Sequence, residues 1–520
     1  AEPVECRPHW AVARISARHA PSLAALTGVG GTLFFFRSRG RRNRRQGESQ
    51  GITGDRMSGL NGLFGIGSNA LATFQKALSV TGQNIANVNT PGYSRQEIIL
   101  TEARPEDGRP GQTGTGVEAS EIRRSVDTFV EQQVLSSNER LGQFGASQKA
   151  LSQIQLLFND SNDQGIAAGL NEFFKAWQDV ATNPADLTAR TVLLTKADGV
   201  TKLLNQAGTQ LSAQRVSLNG QVQSSINDVN ALASKIADLN SQIKLTEVSG
   251  QQANDLRDQR GRFLNDLAGL VDISSIEDAT GQVTVFVGIG QLLVTEQKAY
   301  ELTGVANVAN NGLLDVRYDG GTGPNTDITS VIGSGRLKGL IDARDTTAVG
   351  LQTSLNTLTS ELVSQVNAQH RLGYGLDGST TQDCFEATGT TASTISLALS
   401  DRQKIAASST AVGVPGNNVN ALALSSLQTA SVAGLGNTTF QGYYSAMAGS
   451  FGATIQGVTR DLQGQEILHD QLLAHRAEVA GVSMDEELIN LLKYQRAFEA
   501  ASKLITTSDE MLQTILTLKR

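Results

Sequence analysis

The chain has 520 residues and a formal net charge of −7, with hydrophobic residues at 39% and aromatic residues at 5%. That length exceeds what one hydrophobic core serves, and so few aromatic residues exclude a single dense globule in favour of thin domains and long helices. Residues 1–56 hold ten Arg against four acidic residues, a local +6 that leaves about −13 for the remainder, too acidic and too free of basic stripes for a nucleic-acid surface.

In chain order, residues 1–56 show neither amphipathic periodicity nor turn signals. The apolar run Leu23–Phe36 is short for a membrane span, and its heaviest Arg cluster, Arg37 to Arg45, follows it where a secretion signal would be cleaved. At Met57 the character changes at once. Residues 1–56 therefore read as a disordered upstream extension with Met57 as the initiator; an authentic cleaved extension is the alternative.

A helix is expected over 60–88, because Phe64, Gly67, Leu71, Phe74, Leu78, Thr81, Ile85 and Val88 repeat at alternating steps of three and four, a coiled-coil seam. It ends in an Asn-rich corner, Asn84, Asn87, Asn89, Thr90, Pro91, Gly92, Tyr93, Ser94, Arg95 and Gln96. There Asn side chains bond their own backbone and Pro-Gly forces a sharp exit into an extended stretch over 93–120. Helical periodicity returns over 127–158 and 166–180. A long helix follows over 186–247, seamed by Leu218, Val222, Ser225, Val229, Leu232, Ile236, Leu239 and Ile243, and weakened at Gly199, Gly208 and Gly220. A second long helix runs from Gly335 to His370.

Between these helices the period drops to two. Val283–Val287, Leu313–Tyr318 and Asp327–Ile332 read as strands, with Asn311-Gly312 and Asp319-Gly320 as turns. A Gly-, Thr- and Ser-rich stretch over 373–450 contains one further strand, Thr394–Ser400. Helix resumes near Thr454, and Ser483 with Glu486 forms a capping box that opens the last helix.

That last helix carries two seams. Leu488, Leu491, Gln495, Phe498, Ser502, Ile505, Asp509, Leu512 and Leu516 make one; Tyr494, Ala497, Ala501, Leu504, Ser508, Met511, Ile515 and Leu518 make the other. An apolar face so wide requires more than one neighbour. The N-terminal helix covers one seam, and another chain or another element of this one meets the other. The fold class is therefore mainly α with inserted β: a terminal coiled-coil layer (57–92 with 481–520), an elongated helical domain (93–270, 335–372 and 451–480), an inserted β-domain (271–334) and a second inserted domain (373–450).

Chemistry is sparse. The histidines are His9, His19, His370, His469 and His475, and the last two lie six apart on a helix, facing different ways, poorly placed to share a metal. Cys6 and Cys384 are too few and too unlike in context for a disulfide framework or a metal site. No phosphate loop or nucleophile elbow occurs; Gly65-Ile66-Gly67 precedes a helix rather than following a strand, and Asp377–Asp383 lacks the calcium-ligand spacing. No catalytic residue, cofactor or metal is expected.

Three segments are informative beyond their physics. They are Thr90-Pro91-Gly92-Tyr93-Ser94-Arg95-Gln96, the closing run from Asp485-Glu486-Glu487-Leu488 through Tyr494-Gln495-Arg496-Ala497-Phe498-Glu499-Ala500 to Met511-Leu512, and the helix exit His370–Gly378. Together they resemble the axial proteins of the bacterial flagellum, and within them the hook-associated proteins of the hook–filament junction. Gly375 and Asp377 depart mildly from the family pattern, which has Asp and Asn there. The resemblance covers 57–520 and leaves 1–56 unmatched. It implies a non-enzymatic, extracellular structural subunit, polymerising as a thin ring between hook and filament. It further implies export without a cleaved signal peptide through the flagellar type III channel, with hook protein and a second junction protein on either side and an export chaperone beforehand. No nucleic-acid or membrane partner is implied. Leu71, Phe74, Leu78, Ile85, Leu488, Leu491, Phe498, Leu504, Ile505, Met511, Leu512 and Ile515 are the expected assembly residues. The alternatives are another axial subunit of hook or filament, a cell-surface adhesin anchored through 1–56, or a wall hydrolase. The last needs paired carboxylates in an aromatic-lined cleft, which neither insertion supplies.

Overall fold

The computed structural model describes residues 54–107, 111–158, 165–321 and 324–518; the expectation for 1–56 lies outside these up to residue 53. Helix α1 (Gly54–Ala86) stops two residues short of Val88 because the corner closes on itself: the Asn87 amide donates to the Gln83 carbonyl, and Thr90 N–H to that of Asn87. Strands β1 (Gln96–Glu102) and β2 (Val117–Arg124) form an antiparallel hairpin with an irregularity at Ile99/Leu100. Asp127 then caps α2 (Thr128–Gln155), its carboxylate accepting from the Phe129 and Val130 N–H groups.

The body is built on α3 (Ile166–Thr182) and α4 (Leu187–Glu247). On α3, Phe173, Phe174 and Trp177 are buried, and their rings meet Phe385, Phe440 and His370 from distant parts of the chain. At 61 residues α4 is about 90 Å long at 1.5 Å per residue. The glycines that weaken it do not break it. Gly208 is instead a crossing point, where an added Cβ would sit 3.0 Å from the backbone nitrogen of Ser393.

Helix α5 (Asn254–Leu270) follows, an element the sequence reading did not isolate. Strands β3 (Ile273–Glu277), β4 (Val283–Val287), β5 (Gln291–Thr295) and β6 (Lys298–Ala299) make one antiparallel sheet in chain order. Strands β7 (Glu301–Asn307), β8 (Leu313–Asp319) and β9 (Thr326–Asp327) make another. The strand expected over 327–332 ends after Asp327, whose carboxylate accepts from Thr329 N–H and turns the chain.

The helix expected from Gly335 to His370 runs through as α6 (Gly335–Ile341) and α7 (Ala348–His370), joined without a break by a wider, π-helical turn over Asp342–Thr347. That turn leaves the Arg344 carbonyl able to accept from Arg215 Nε at 3.0 Å. The Arg344 guanidinium, fully buried, is held by Asp345 and Asn219. Over 371–418 the chain is irregular. The expected strand at 394–400 is only a bridge between Phe385 and Leu397, because Thr391 draws the N–H groups of Thr394 and Ile395 into a local turn. After α8 (Val419–Ser426), helix α9 (Phe440–Ala480) starts well before Thr454: Thr439 caps it and the Phe440 ring stacks against Phe174. Helix α10 (Met484–Leu518) ends the described chain.

One device recurs where a helix meets an extended segment. A helical Asn places its amide beside one strand residue, accepting that residue's N–H and donating to its carbonyl, as a neighbouring strand would. Asn84 clamps Gln96 in this way (3.0 and 2.9 Å), Asn230 clamps Leu302 (2.9 and 2.8 Å), Asn240 clamps Val283 (3.0 and 2.8 Å) and Asn367 clamps Phe385 (2.9 and 2.7 Å). Each pairs an edge that would otherwise leave buried backbone groups unsatisfied.

Candidate functional site

The first and last described helices lie together, antiparallel. A Cβ added to Gly67 would fall 2.7 Å from Ile505 Cγ1, and at the other end the Asn84 amide donates to Glu487 Oε2 at 3.1 Å. Eighteen residues of α1 thus run beside nineteen of α10, a shared length of about 25 Å.

The faces used overlap the expected seams only in part. On α1 the buried line is Gly67, Thr73, Ala77, Val80, Thr81 and Asn84, one position round from the larger side chains, and Leu71, Phe74, Leu78 and Ile85 are only half-buried. Thr73 and Asn69 donate to the Val117 and Thr115 carbonyls at the rim of the hairpin, so α1 is shared between α10 and that rim. On α10 the covered line is Glu487, Leu491, Tyr494, Phe498, Ala501, Ile505, Ser508 and Leu512, which takes members of both expected seams. Leu488, Leu504, Met511 and Ile515 are exposed, and so are Ile489, Leu492 and Leu516, at 66%, 59% and 67%. On α1 the seam is lined mainly by small or polar side chains, whereas α10 brings Leu491, Tyr494, Phe498, Ile505 and Leu512 to it and leaves its other apolar residues facing outward. Periodicity alone could not separate the two, since stripes one residue apart share the same period.

The corner is the best-bonded part of the assembly. Asn84, 1% exposed, also accepts the Tyr93 hydroxyl at 2.8 Å. Arg95 donates to Glu487 Oε1 at 2.8 Å and reaches Glu486 at 3.0 Å, while Arg95 N–H bonds the Ala480 carbonyl at the end of α9. Ser94 N–H and the Arg124 guanidinium share Asp258, and Gln83 and Gln96 share Asp255, both acids on α5. The Tyr93 hydroxyl is pushed well above its usual range by burial, and further by Asp255, Asp258 and Glu487, so it stays a proton donor to Asn84. Gly92 has φ +74°, and a Cβ there would strike Arg262 Cγ at 2.6 Å, so the corner demands glycine. Asn87 and Thr90 bond each other, while Asn89, Thr90 and Pro91 lie at the surface.

Sequence reasoning found the corner but missed its partners. Glu487 was read as part of a motif, and α5 was not seen; the signal available was Asn254-Asp255-Leu256-Arg257-Asp258-Gln259-Arg260, whose acids and bases alternate along the chain.

Among the described residues no group of three or more metal-ligating side chains occurs, and no helix is long and apolar enough to cross a membrane. A cleft of about 510 Å³ beside the corner is lined by Ser94, Arg124, Asp258, His469 and Arg476, among others. Its acids and bases are engaged with each other, Arg124 with Asp258 and Arg476 with Glu131, which is packing between elements rather than a catalytic arrangement. His469 lies against Ser137, and His475 is exposed.

The paired terminal helices, the polar corner and the long helical body are accompanied by matches to axial proteins of the bacterial flagellum. Residues 64–93 match the family model described as flagella basal body rod protein, and 474–518 match the flagellar basal body rod FlgEFG protein C-terminal model. Residues 151–385 match the flagellar hook-associated protein FlgK helical domain. Flagellar hook-associated protein 1 of Bacillus subtilis is 28% identical over 490 residues, covering 86% of this chain and 96% of the relative. The protein of that name from Salmonella typhimurium is 29% identical over 330 residues, covering 63% of this chain and 59% of the relative. The flagellar hook junction protein FlgK from Burkholderia pseudomallei shares the fold, with a TM-score of 0.60 at 18% identity, over 67% of this chain and all of that one. This chain is a homologue of flagellar hook-associated protein 1, a structural component of the flagellum.

Proposed function

We propose that this chain is the subunit that joins hook to filament, polymerising as a thin ring through its terminal helices. The observation that carries the reading is the choice of faces on α1 and α10. The pair covers only part of the apolar surface of α10 and leaves Leu488, Ile489, Leu492, Leu504, Met511, Ile515 and Leu516 at the surface. An exposed apolar strip of that kind marks a surface meant to be covered by protein. In a ring, the neighbouring copies cover it. Hook protein and a second junction protein would bound the ring, and an export chaperone would shield the strip before passage through the type III channel. The work is mechanical rather than catalytic. The terminal layer, the helical body and the two sheet-bearing or irregular insertions (271–334 and 373–450) divide it into an inner assembly surface and outer modules.

A second reading, a rod or hook subunit, draws on the rod-protein matches at both ends. The helical-domain match over 151–385 favours the junction. Electron microscopy of a strain lacking this chain decides between them. Intact hooks with filament protein shed into the medium are expected, and absent hooks would select the rod or hook reading.

A further inference from the structure

The first two turns of α5 meet the rest of the molecule on two sides, with opposite charge. Asn254, Asp255 and Asp258 fall within about 100° of one another around the helix, and Arg257 and Arg260 lie on the other side. The acidic side serves the corner. Asp255 accepts from Gln83 (3.1 Å) and Gln96 (2.8 Å), Asp258 accepts from Ser94 N–H (2.9 Å) and Arg124 (2.7 Å), and the Asn254 amide donates to the Ile122 carbonyl (2.8 Å).

The basic side serves the first sheet and the end of α4. Arg257 makes a two-pronged pair with Glu247 (2.7 and 2.9 Å) and reaches Glu277 on β3 at 2.7 Å. Arg260, 3% exposed, bonds Glu277 (2.9 Å), the Asn240 amide oxygen (2.9 Å) and the Gly281 carbonyl (2.6 Å). Gly281 has φ +78°, and a Cβ there would sit 2.6 Å from Arg257 Nη2, so the β3–β4 turn is shaped to receive these guanidinium groups. Both clamping asparagines, Asn84 on the corner side and Asn240 on the sheet side, are tied in. Asn254 reaches the Gln96 side chain at 3.4 Å, and Arg260 bonds Asn240 directly.

We infer that residues 254–260 form a rigid joint through which the orientation of the terminal helix pair is passed to the β3–β6 sheet, with Asp255, Asp258, Arg257 and Arg260 as its positioning residues. This goes beyond the assembly reading and does not depend on it, since every contact lies within one chain. Multiply bonded, partly buried ion pairs suit the task. They fix direction as well as distance, and breaking one partner leaves the other unpaired. An apolar contact of the same area would let the two sides slide.

The joint is tested on the full-length monomer by pulsed electron paramagnetic resonance. Spin labels at Thr101→Cys on β1 and Ile289→Cys in the β4–β5 turn, both exposed, report the distance across it. The background is Cys6→Ser and Trp10→Phe; Cys384 is buried, its thiol pushed up to about 12, and stays unlabelled. A narrow distribution is expected in this background. Asp255→Asn with Asp258→Asn, and separately Arg257→Gln with Arg260→Gln, are each expected to broaden it about twofold, while the emission of buried Trp177 stays unchanged. Asp266→Asn, an exposed acid further along the same helix, is expected to leave the width unchanged. Equal widths in either double variant overturn the proposal, as does equal broadening by Asp266→Asn. If a double variant loses the buried Trp177 emission, Asp255→Asn and Arg257→Gln are read singly, and unchanged widths there overturn it too.

Discussion

Asn84 and Glu487 stand 403 positions apart in the chain, and their side chains meet at 3.1 Å, both almost fully buried. Through Arg95, bonded to the same carboxylate, this contact fastens the start of α10 to the corner that ends α1. Below it α1 offers mainly small or polar side chains to the half-buried Leu491, Phe498 and Ile505 of α10, and this carboxylate adds the polar tie at the start of that helix.

Glu487→Ala should therefore cost about 3 kcal/mol in the docking of α10, because it strands the Arg95 guanidinium and the Asn84 amide together. Glu487→Gln should cost less, since shape and one acceptor survive. Amide exchange is the measure: faster exchange over 484–500 with an unchanged body supports the clasp, and unchanged exchange in the alanine variant removes it.

The exposed row separates assembly from folding. Leu504→Asp and Ile515→Asp are expected to leave thermal stability within about 0.5 kcal/mol of wild type, as changes at exposed sites do, while abolishing incorporation into flagella. Phe498→Asp, half-buried, should lose both incorporation and the protection of α10. Normal motility with Leu504→Asp would place the interface elsewhere.

Two glycines of α1 should respond with opposite sign. A methyl at Gly82 meets nothing within 4 Å, so Gly82→Ala should stabilise the helix by up to about 1 kcal/mol. A methyl at Gly67 would press on Ile505 Cγ1, so Gly67→Ala should loosen the pair by about 1 kcal/mol despite its better helix propensity. Melting of the two variants, followed by helix signal, checks both.

The pH dependence of the body has two opposing sources. His370 is fully buried; its Nδ1 sits 2.7 Å from the Gln382 carbonyl and its Nε2 accepts from Ala406 N–H, and burial lowers its pKa below 6.5. Its contribution is full above pH 6.5 and is lost as the pH falls through the lower folded value. Asp272 behaves oppositely. Burial raises it from 3.8 to about 6, so its contribution is full below 3.8 and is lost as the pH rises through about 6. His370→Gln should flatten the acid limb of a melting-temperature profile. Asp272→Asn should raise the melting temperature at pH 7 more than at pH 4. An Asp272→Asn profile parallel to wild type would exclude this source.

Legibility followed range. The helix starts near residues 127 and 186, the length of α4, strand β4 and the turn before β8 were readable because each is decided within a few residues. The strand expected at 394–400 failed because a turn closed on the Thr391 carbonyl outweighs local pattern, and the bond from Arg215 to the Arg344 carbonyl accompanies a widening of the helix from 335 that pattern does not show. In the candidate site, the corner was legible as turn chemistry. The acids that hold it, Asp255, Asp258 and Glu487, look like ordinary solvated charges until the fold brings them to it.

By itself the sequence settled that the first and last described helices are amphipathic, that a glycine-bearing corner follows the first, and that the flagellar axial motifs are present, since all of these are written in spacing and turn residues. Only the tertiary structure decided which stripe of each terminal helix faces the other. Rows one residue apart have equal periodicity, and the choice falls to the long-range contacts of Asn84, Glu487 and Gly67, which set the small and polar row of α1 against a line of α10 drawn from both of its seams and leave other apolar residues of α10 outside.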